Sequence, residues 1–322
     1  MKHMILGGGG VFGNLTAKHL LEKGHEVIAI GRSPLKPCFH LDVGKGNQKY
    51  QYHQLHIVSE QAGLFNMMAS EKPDCVINFA ALAYANSWEQ SELYYRTNTL
   101  TVVQMAEFLK GKSWLKRFIQ IGSSEVYGST GAPALEDGPV NPTSPYAVSK
   151  LAADMHLITM KKHLPINIIR PSNCYGEGQY AYRIIPKTIL YLLTGRVFPL
   201  EGGGVAEKSF MHADDLANAI EAVFERGAGG EVYNVGPDKP ISMRDLVQLI
   251  CRQMRKPMNE FTYDAPGRAV EDSRYWVDSS KIKALGWEEK TRLEDGIAGM
   301  IEWCREYKDA LLREPDRFTL RA

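Results

Sequence analysis

The sequence lacks an excess of charge of either sign. Its 322 residues include 38 Lys and Arg against 37 Asp and Glu, which gives a formal net charge of +1. Binding to nucleic acid needs a basic surface, so we expect no nucleic-acid partner. With 44% hydrophobic and 23% charged residues, the composition excludes a disordered chain and fits one large globular domain or two unequal ones.

Long hydrophobic runs are also missing. No apolar stretch approaches the roughly 20 residues of a membrane-spanning helix, so we expect no membrane association. The apolar stretch Met4–Leu6 is too short for a secretory signal and leads directly into glycines. The expectation that follows is a cytoplasmic protein.

Cysteine and histidine form none of the usual metal or redox patterns. The five cysteines are far apart and include no CxxC pair, which is typical of reduced thiols in a cytosolic protein. The nine histidines form no HExxH motif and no cluster with cysteine, so we expect no metal site.

Short apolar runs alternate with longer amphipathic stretches in the first half of the chain. The segment from Asn14 to Lys23 is typical of a helix that ends at Gly24. The runs that we interpret as strands are Met4–Leu6, Glu26–Ile30, Tyr50–Ile57, Cys75–Phe79 and Phe118–Ile121. Repeated strand–helix–strand units predict an α/β fold with a Rossmann-like doubly wound parallel sheet, whose ligands bind at the carboxyl ends of the strands.

The second half is less regular. A strand is expected at Asn167–Arg170, and Ile241–Tyr307 is interpreted as helical around a loop at Asp264–Gly267. We predict that residues 1–170, joined again by 208–236, form the nucleotide-binding domain. Residues 171–207 and 237–322 would form a smaller C-terminal α/β substrate-binding domain.

Gly7, Gly10 and Gly13 form a GxxGxxG pattern at the first junction between a strand and a helix. Here the first glycine allows a tight turn, the second lets the backbone approach a pyrophosphate, and the third lets the helix pack closely. The helix N-terminus adds free N–H groups and a partial positive charge. The pattern therefore predicts a dinucleotide site.

The end of the second strand distinguishes the two nicotinamide cofactors. An acid there binds the ribose hydroxyls of NAD, whereas a basic residue accommodates the extra phosphate of NADP. This strand leads into Gly31 and Arg32 without an acid. That favours NADP over NAD, although Arg32 also suits a solvated surface charge.

Tyr146 and Lys150 follow Pro145, a residue that can begin a helix. Their spacing places phenol and ammonium on one helix face, where the lysine charge would lower the phenol pKa from about 10. Such a phenol can take a proton from a substrate alcohol while hydride leaves the same carbon. An exposed helical pair is the alternative interpretation.

Ser123, Ser124 and Glu125 directly follow an expected strand and Gly122. The Ser123 hydroxyl would orient the reacting oxygen, and Glu125 would act as a second base. A loop with helix-capping serines and a surface acid is the alternative.

Over nearly its whole length the sequence resembles the extended short-chain dehydrogenase/reductase family, the nucleotide-sugar epimerases and dehydratases. The stretches that carry the resemblance are GGGGVFG, VINFAA, YYRTN, SSEVYG, SPYAVSK, RPSNCYG, HADD, YNVG and SRYWVDSSKIKALGW. The later half is most similar to dTDP-glucose 4,6-dehydratases. The resemblance implies that Ser123, Tyr146 and Lys150 are the catalytic triad and that the helix after Tyr146 forms a homodimer contact.

The resemblance also implies binding residues. For NAD or NADP these are Gly7, Gly10, Val11, Phe12, Gly13, Arg32, His56, Ile57, Ala80, Ala81, Tyr146 and Lys150. For a nucleotide-diphosphate hexose they are Asn173, Arg183, Lys208 and Arg274, although the three basic residues also suit surface positions. His56 stands where the family has an Asp that contacts adenine, and Ser124 replaces an acid that assists the leaving 6-hydroxyl.

Together these features predict a dehydratase of the 4,6 type. The hexose would be oxidised at C4, Glu125 would deprotonate C5, the C6 hydroxyl would leave with help from Ser124 or water, and hydride would return to C6. The alternative is an epimerase acting at C4 or C5, or a 5,6-dehydratase. A UDP-glucuronate decarboxylase is less favoured than these. The intact Ser123, Tyr146 and Lys150 disfavour a non-catalytic NADP-binding regulator.

Overall fold

The structure is a computed structural model that describes residues 1–35, 43–44, 46–83, 88, 90–267 and 272–318. Its strands are β1 (Lys2–Leu6), β2 (Glu26–Gly31), β3 (Tyr50–Gln54), β4 (Cys75–Asn78), β5 (Arg117–Ile121), β6 (Ile166–Pro171), β7 (Asn173–Tyr175), β8 (Phe198–Glu201), β9 (Glu207–Lys208), β10 (Phe210–His212), β11 (Val232–Val235), β12 (Ile241–Ser242), β13 (Thr262–Ala265) and β14 (Arg274–Tyr275).

The α-helices of the described chain are α1 (Val11–Glu22), α2 (Gln61–Glu71), α3 (Ser91–Tyr94), α4 (Thr101–Leu109), α5 (Pro145–Thr159), α6 (Ile184–Leu193), α7 (Ala213–Arg226), α8 (Met243–Gln253), α9 (Met258–Phe261), α10 (Ser280–Lys283), α11 (Leu293–Glu306) and α12 (Lys308–Leu311). A π-helical stretch, Tyr95–Leu100, joins α3 to α4, and 3₁₀ turns form at Ser124–Tyr127 and Gly202–Gly204.

Seven of these strands form one large sheet in the order β11-β6-β5-β4-β1-β2-β3, and all neighbouring strands in it are parallel. Strands β1, β2, β4 and β5 are buried and mostly apolar, because the sheet is covered on both faces. Helices α1 and α7 pack on one face, and α2, α4 and α5 pack on the other. The predicted Rossmann-like doubly wound sheet is confirmed.

A separate apolar core lies among the later helices. Helices α6, α8 and α11 supply most of it, with Ile189, Leu246 and Ile301 among the buried side chains. Three small sheets accompany this core, namely β7 with β10, β8 with β13, and β12-β9-β14. Residues of this core and residues at the carboxyl ends of the large sheet line the same cavity.

Several element boundaries differ from the sequence-based expectation. Helix α1 begins at Val11 instead of Asn14, and β3 ends at Gln54, before the predicted end of that strand. The expectation that Ile241–Tyr307 is helical around one loop was wrong in part, because it contains β12, β13 and β14. These short strands pair with β8 and β9, which lie far away in the sequence, and local patterning does not reveal such partners.

Two kinds of feature are absent from the described residues. No helix there is long and apolar enough to cross a membrane. No group of three or more His, Cys, Asp or Glu side chains there is arranged to hold a metal ion.

Candidate active site

The turn between β1 and α1 is built from glycine. Gly7 has a φ of +78°, and a Cβ there would lie 2.9 Å from the backbone nitrogen of Ala80. A Cβ at Gly13 would lie 2.5 Å from the carbonyl oxygen of Gly7, so only glycine lets α1 approach this closely. Gly10 is the N-cap of α1, and the first turn carries no acid. The turn and the positive end of α1 therefore fit a pyrophosphate group.

Other residues predicted to bind a dinucleotide lie near this turn. Val11 begins α1. Phe12 and Ala81 both line the cavity at the carboxyl ends of the strands of the large sheet. Ala80 lies against Gly7, and its N–H group donates to the Asn78 side chain at 3.1 Å. The carboxyl ends of β1 and β4 thus meet at one site, as expected for a parallel sheet.

The remaining predicted positions lie towards the edge strand β3. The Nδ1 atom of His56 accepts hydrogen bonds from the N–H groups of Val58 and Ser59 at 3.2 and 3.3 Å, so this imidazole stabilises the turn before α2. Ile57 is buried beside it. The Arg32 carbonyl accepts a hydrogen bond from the Gln54 side chain at 3.2 Å, which connects the segment after β2 to β3.

The five predicted catalytic residues lie together. Ser123, Ser124, Glu125, Tyr146 and Lys150 all line one cavity of about 330 Å³. The serines and the glutamate follow the carboxyl end of β5, whereas the tyrosine and the lysine lie in the first part of α5. The described structure therefore brings two separate sequence motifs into one site, with a volume typical of small-molecule pockets.

Local interactions fix where α5 begins. Pro145 occupies its first turn, and the Ser144 side chain accepts a hydrogen bond from the N–H group of Ala147 at 3.1 Å. This N-cap satisfies one of the free N–H groups at the start of the helix. Tyr146 and Lys150 are consequently buried, with exposed fractions of 8% and 2%.

The pKa values of Tyr146 and Lys150 differ from the expectation that the lysine charge lowers the phenol pKa. Burial raises the pKa of Tyr146 well above its ordinary value, the charge of Glu125 raises it further, and a hydrogen bond with Ser123 opposes the rise. Burial also lowers the pKa of Lys150 to about 8. The Lys150 Nζ atom donates to the Ile121 carbonyl at 2.5 Å. The spacing predicted a lowered phenol pKa, but the Tyr146 pKa is raised, because desolvation and the charge of Glu125 outweigh the hydrogen bond with Ser123 and the charge of Arg183.

Glu125 is the second candidate base in the cavity. Its Oε2 atom is shielded from solvent and has no hydrogen-bond partner among the described residues. Burial raises the pKa of Glu125, while the charges of Lys208 and Arg183 oppose that rise. A carboxylate that is poorly solvated and unpartnered is well suited to accept a proton.

A buried ion pair anchors α5 beneath the site. Asp154, one turn beyond Lys150, accepts a hydrogen bond from Arg170 Nε at 2.9 Å. The Nη1 atom of Arg170 donates to the Tyr127 hydroxyl at 2.8 Å. These contacts connect α5 to β6 and to the turn that begins at Ser124, so they fix the two motifs relative to each other.

The π-helical stretch supports the same helix from the other side. Asn98, the asparagine of the YYRTN stretch, donates to the Ser149 hydroxyl at 2.9 Å. The Ser149 hydroxyl in turn donates to the Tyr146 carbonyl at 2.7 Å. Single π-helical turns are frequent at functional sites, and this one directs the buried Asn98 amide to a side-chain hydroxyl of α5.

Three of the four predicted substrate residues line the cavity, namely Asn173, Arg183 and Lys208. The Oδ1 atom of Asn173 is buried and has no hydrogen-bond partner in the described chain. Arg183 donates to the Ala83 carbonyl at 2.6 Å and adds a positive charge near Glu125. Arg274 on β14 lies apart from these three, because its guanidinium pairs with Glu207 on β9.

Sequence reasoning missed Asp272, a buried residue that lines the same cavity. Its carboxylate accepts hydrogen bonds from Thr143 Oγ1 at 2.5 Å, Tyr275 Oη at 2.7 Å and Ser129 Oγ at 2.9 Å. The signal that could have found it is its position directly before the SRYWVD stretch. The carboxylate fixes the loop before α5 against β14.

Comparison with known proteins assigns the family. The family model described as GDP-mannose 4,6 dehydratase matches residues 4–300. The chain therefore belongs to this family, and the predicted resemblance to extended short-chain dehydrogenase/reductase enzymes is confirmed. The relatives that match it include nucleotide-sugar dehydratases and a protein that combines dehydratase and epimerase activities.

Individual relatives are moderately similar. The human dTDP-D-glucose 4,6-dehydratase is 30% identical over 320 residues, which cover 94% of this chain and 89% of that protein. The trifunctional UDP-glucose 4,6-dehydratase/UDP-4-keto-6-deoxy-D-glucose 3,5-epimerase/UDP-4-keto-L-rhamnose-reductase of Arabidopsis thaliana is 29% identical over 311 residues, covering 93% of this chain and 46% of that protein. The chain thus spans about half the length of the plant relative.

A solved structure is similar over the whole fold. The dTDP-glucose 4,6-dehydratase of Bacillus anthracis, crystallised in complex with NAD, matches with a TM-score of 0.87. The match has 26% sequence identity and covers 96% of this chain and 98% of the other.

Proposed function

We propose that the chain is an NAD(P)-dependent nucleotide-sugar dehydratase of the 4,6 type. The observation that carries this proposal is that Glu125 shares one cavity with Ser123, Tyr146 and Lys150. Oxidation of a sugar at C4 needs only the phenol and its neighbours, whereas elimination across C5 and C6 needs a further base. Glu125 provides that base.

The glycine turn, the N-terminus of α1 and the neighbouring Phe12, Ala80 and Ala81 would hold the dinucleotide. When bound, its oxidised nicotinamide ring supplies the reversible acceptance of a hydride and a positive charge. The relative from Bacillus anthracis that is solved with NAD supports this assignment. The preference for NADP expected from Gly31 and Arg32 stays a prediction.

In the proposed reaction the positive charges of Lys150 and of the bound dinucleotide would favour the phenolate of Tyr146. The phenolate accepts the proton of the C4 hydroxyl while Ser123 orients that oxygen. The C4 ketone that results makes the C5 proton acidic, and Glu125 removes it. The C6 hydroxyl then leaves as water, with Ser124 or a water molecule passing the proton. Return of the hydride to C6 and of a proton to C5 would complete the 4-keto-6-deoxy sugar and restore the oxidised dinucleotide. Most of the rate enhancement would come from positioning and from charge stabilisation in the closed cavity.

The nucleotide-diphosphate hexose would enter from the side of the later helices. Asn173, Arg183 and Lys208 would supply one neutral and two cationic groups for its diphosphate. A substrate contact from Arg274, which pairs with Glu207, stays a prediction. On this proposal residues 1–170 with 208–236 bind the dinucleotide, and 171–207 with 237–322 bind the sugar nucleotide. The parts of those ranges beyond the described residues are assigned by sequence alone.

An epimerase is the second candidate, because Ser124 is not an acid. A serine protonates a leaving hydroxyl poorly, since its own pKa lies far above neutrality. Hydride returned to C4 would then produce an epimer, and elimination without return to C6 would produce a 5,6-ene.

The test is incubation of the purified protein with UDP-, GDP- and dTDP-hexoses, followed by mass spectrometry and NMR. We expect loss of water from one of them to give a 4-keto-6-deoxy sugar. Tyr146→Phe should lower turnover by about 10² to 10⁴-fold, because the proton acceptor is gone. Glu125→Gln should abolish water loss yet retain C4 oxidation, which the absorbance of reduced nicotinamide reports.

The matched control is Glu306→Gln, which neutralises an exposed acid on α11 and should behave as the wild type. An epimeric product without loss of water would favour the second candidate. If the Glu125→Gln variant still removed water at the wild-type rate, the proposed removal of the C5 proton by Glu125 would be refuted.

We also propose that the protein is a cytoplasmic homodimer. The support for the location is compositional, since Cys75, Cys174, Cys251 and Cys304 are free thiols in the described chain. The support for the dimer is an apolar surface on α5, to which the exposed Val148 and Met155 belong.

A further inference from the structure

Tyr52 on β3 reaches towards the carboxyl end of the sheet. It lies opposite Ala29 in the register between β2 and β3. Its hydroxyl donates a hydrogen bond of 2.5 Å to the carbonyl of Ser33, just beyond the end of β2. The phenol is half-buried, so its hydroxyl lies at the surface of the nucleotide-binding edge rather than inside the core.

Two glycines make room for this hydroxyl. A Cβ at Gly9 would lie 2.7 Å from the Tyr52 oxygen, and a Cβ at Gly31 would overlap with the same oxygen. The hydroxyl therefore lies between the glycine turn and the last residue of β2. A side chain at position 31 and the observed placement of Tyr52 exclude each other, which gives a steric reason for the missing acid.

This location has a defined role in dinucleotide-binding sheets. The residue at the end of β2 contacts the adenosine ribose, and an acid there binds the ribose hydroxyls of NAD. A carboxylate also repels the phosphate that NADP carries on the same ribose. The Tyr52 hydroxyl donates its proton to Ser33, but its oxygen can still accept a hydrogen bond from a ribose hydroxyl. Burial raises the pKa of Tyr52, which keeps the phenol uncharged.

We propose that the Tyr52 hydroxyl takes the place of this carboxylate, contacts the adenosine ribose and leaves the site tolerant of a 2′-phosphate. This inference depends on the proposed function, since it requires that the chain binds a nicotinamide dinucleotide. It makes Tyr52 and Gly31 a linked pair that sets the choice of cofactor.

The test is calorimetric titration with NAD⁺ and NADP⁺, which measures binding without turnover. Wild type should bind the two with affinities within about tenfold of each other. Tyr52→Phe should weaken binding of NAD⁺ by about 2- to 10-fold, the effect of one hydrogen bond. The double variant Gly31→Asp with Tyr52→Ala restores an acid and should bind NADP⁺ at least about 30-fold more weakly than NAD⁺.

Tyr50→Phe is the matched control. Tyr50 lies two residues earlier on the same strand and faces the same side of the sheet, but its buried hydroxyl has no partner in the described chain. This variant should bind both dinucleotides like the wild type. Thermal unfolding without ligand verifies that each variant is folded.

Three results would overturn the inference. One is a wild type that binds NADP⁺ more than about a hundredfold more weakly than NAD⁺. Another is a folded Tyr52→Phe that binds both dinucleotides unchanged, and the third is a folded double variant that still accepts NADP⁺. A wild type that binds neither dinucleotide would overturn the proposed function itself, and this inference with it.

Discussion

At the scale of single residues, His3 is a titratable side chain with no exposed surface. Its Nε2 atom lies 2.9 Å from His25 Nδ1, and its ring packs edge-on against Phe224. Burial, together with the charges of His25 and the amino terminus, lowers the pKa of His3 from 6.5 to about 3. The folded protein therefore resists protonating this imidazole.

The first prediction concerns stability in acid. Between pH 6.5 and pH 3 the unfolded chain binds a proton at His3 that the folded protein does not bind, so stability falls as pH falls. We expect this residue to account for about 2 kcal/mol of lost stability between pH 7 and pH 5. Urea unfolding at both pH values should show a smaller loss for His3→Phe than for the wild type.

His163→Gln is the control, because it removes an exposed imidazole and should keep the wild-type pH dependence. Equal losses in His3→Phe and the wild type would contradict the prediction.

The predicted catalytic residues show what sequence can predict at this scale. The four-residue spacing placed Tyr146 and Lys150 on one helix face, and the family resemblance suggested their role. Both residues line the cavity with Ser123 and Glu125. The direction of the Tyr146 pKa was not predictable, because it depends on desolvation by residues from many segments. Asp272 was missed for a similar reason, as its partners Ser129 and Thr143 lie more than a hundred residues earlier.

At the scale of elements, α11 crosses close to β7. Gly296 is buried in this helix, and a Cβ there would overlap with the hydroxyl of Tyr175, which is itself 1% exposed. Gly63 in α2 is the contrasting case, since it is exposed and its Cβ would lie 3.5 Å from a Leu55 methyl carbon. Replacement of the glycine by alanine should therefore have opposite effects on protein stability in the two helices.

Gly296→Ala should destabilise the protein by about 1 to 2 kcal/mol, because overpacking outweighs the gain in helix propensity. Gly63→Ala should stabilise it by about 0.5 to 1 kcal/mol. Both values are measurable by urea unfolding at pH 7. If Gly296→Ala proved as stable as the wild type, the close crossing would not be rigid.

Element types were predictable where a pattern is local and failed where pairing is distant. The buried strands β1, β2, β4 and β5 follow from apolar runs that end at glycine or polar residues. The strand β13 contains Asp264 and Ala265, which were expected in a loop, and it forms only because β8 lies beside it. The π-helical form of Tyr95–Leu100 likewise has no signature in composition.

At the scale of the whole molecule, one helix presents an apolar surface to solvent. Val148 and Met155 lie seven residues apart on α5 and are 37% and 53% exposed. Tyr95 and Leu100 of the adjoining π-helical stretch are 40% and 51% exposed. The opposite face of α5, with Ala153 and Leu157, is buried in the core of the sheet. Exposed apolar side chains grouped in this way favour a protein interface.

We expect the wild type to sediment as a dimer in analytical ultracentrifugation. Met155→Lys should raise the dissociation constant of the dimer by at least about tenfold, because it places a charge in the apolar contact. Val205→Lys is the control, since Val205 is 79% exposed and lies away from α5. A wild-type monomer at all concentrations, or a dimer that tolerates Met155→Lys, would argue for another surface.

The cavity has a consequence for biosynthesis. Its walls extend along the chain from Phe12 to Tyr275. Because synthesis proceeds from the N-terminus towards the C-terminus, a nascent polypeptide exposes the glycine turn before it completes the part of the wall that contains Lys208 and Tyr275. During synthesis, the glycine turn therefore emerges well before the cavity can close.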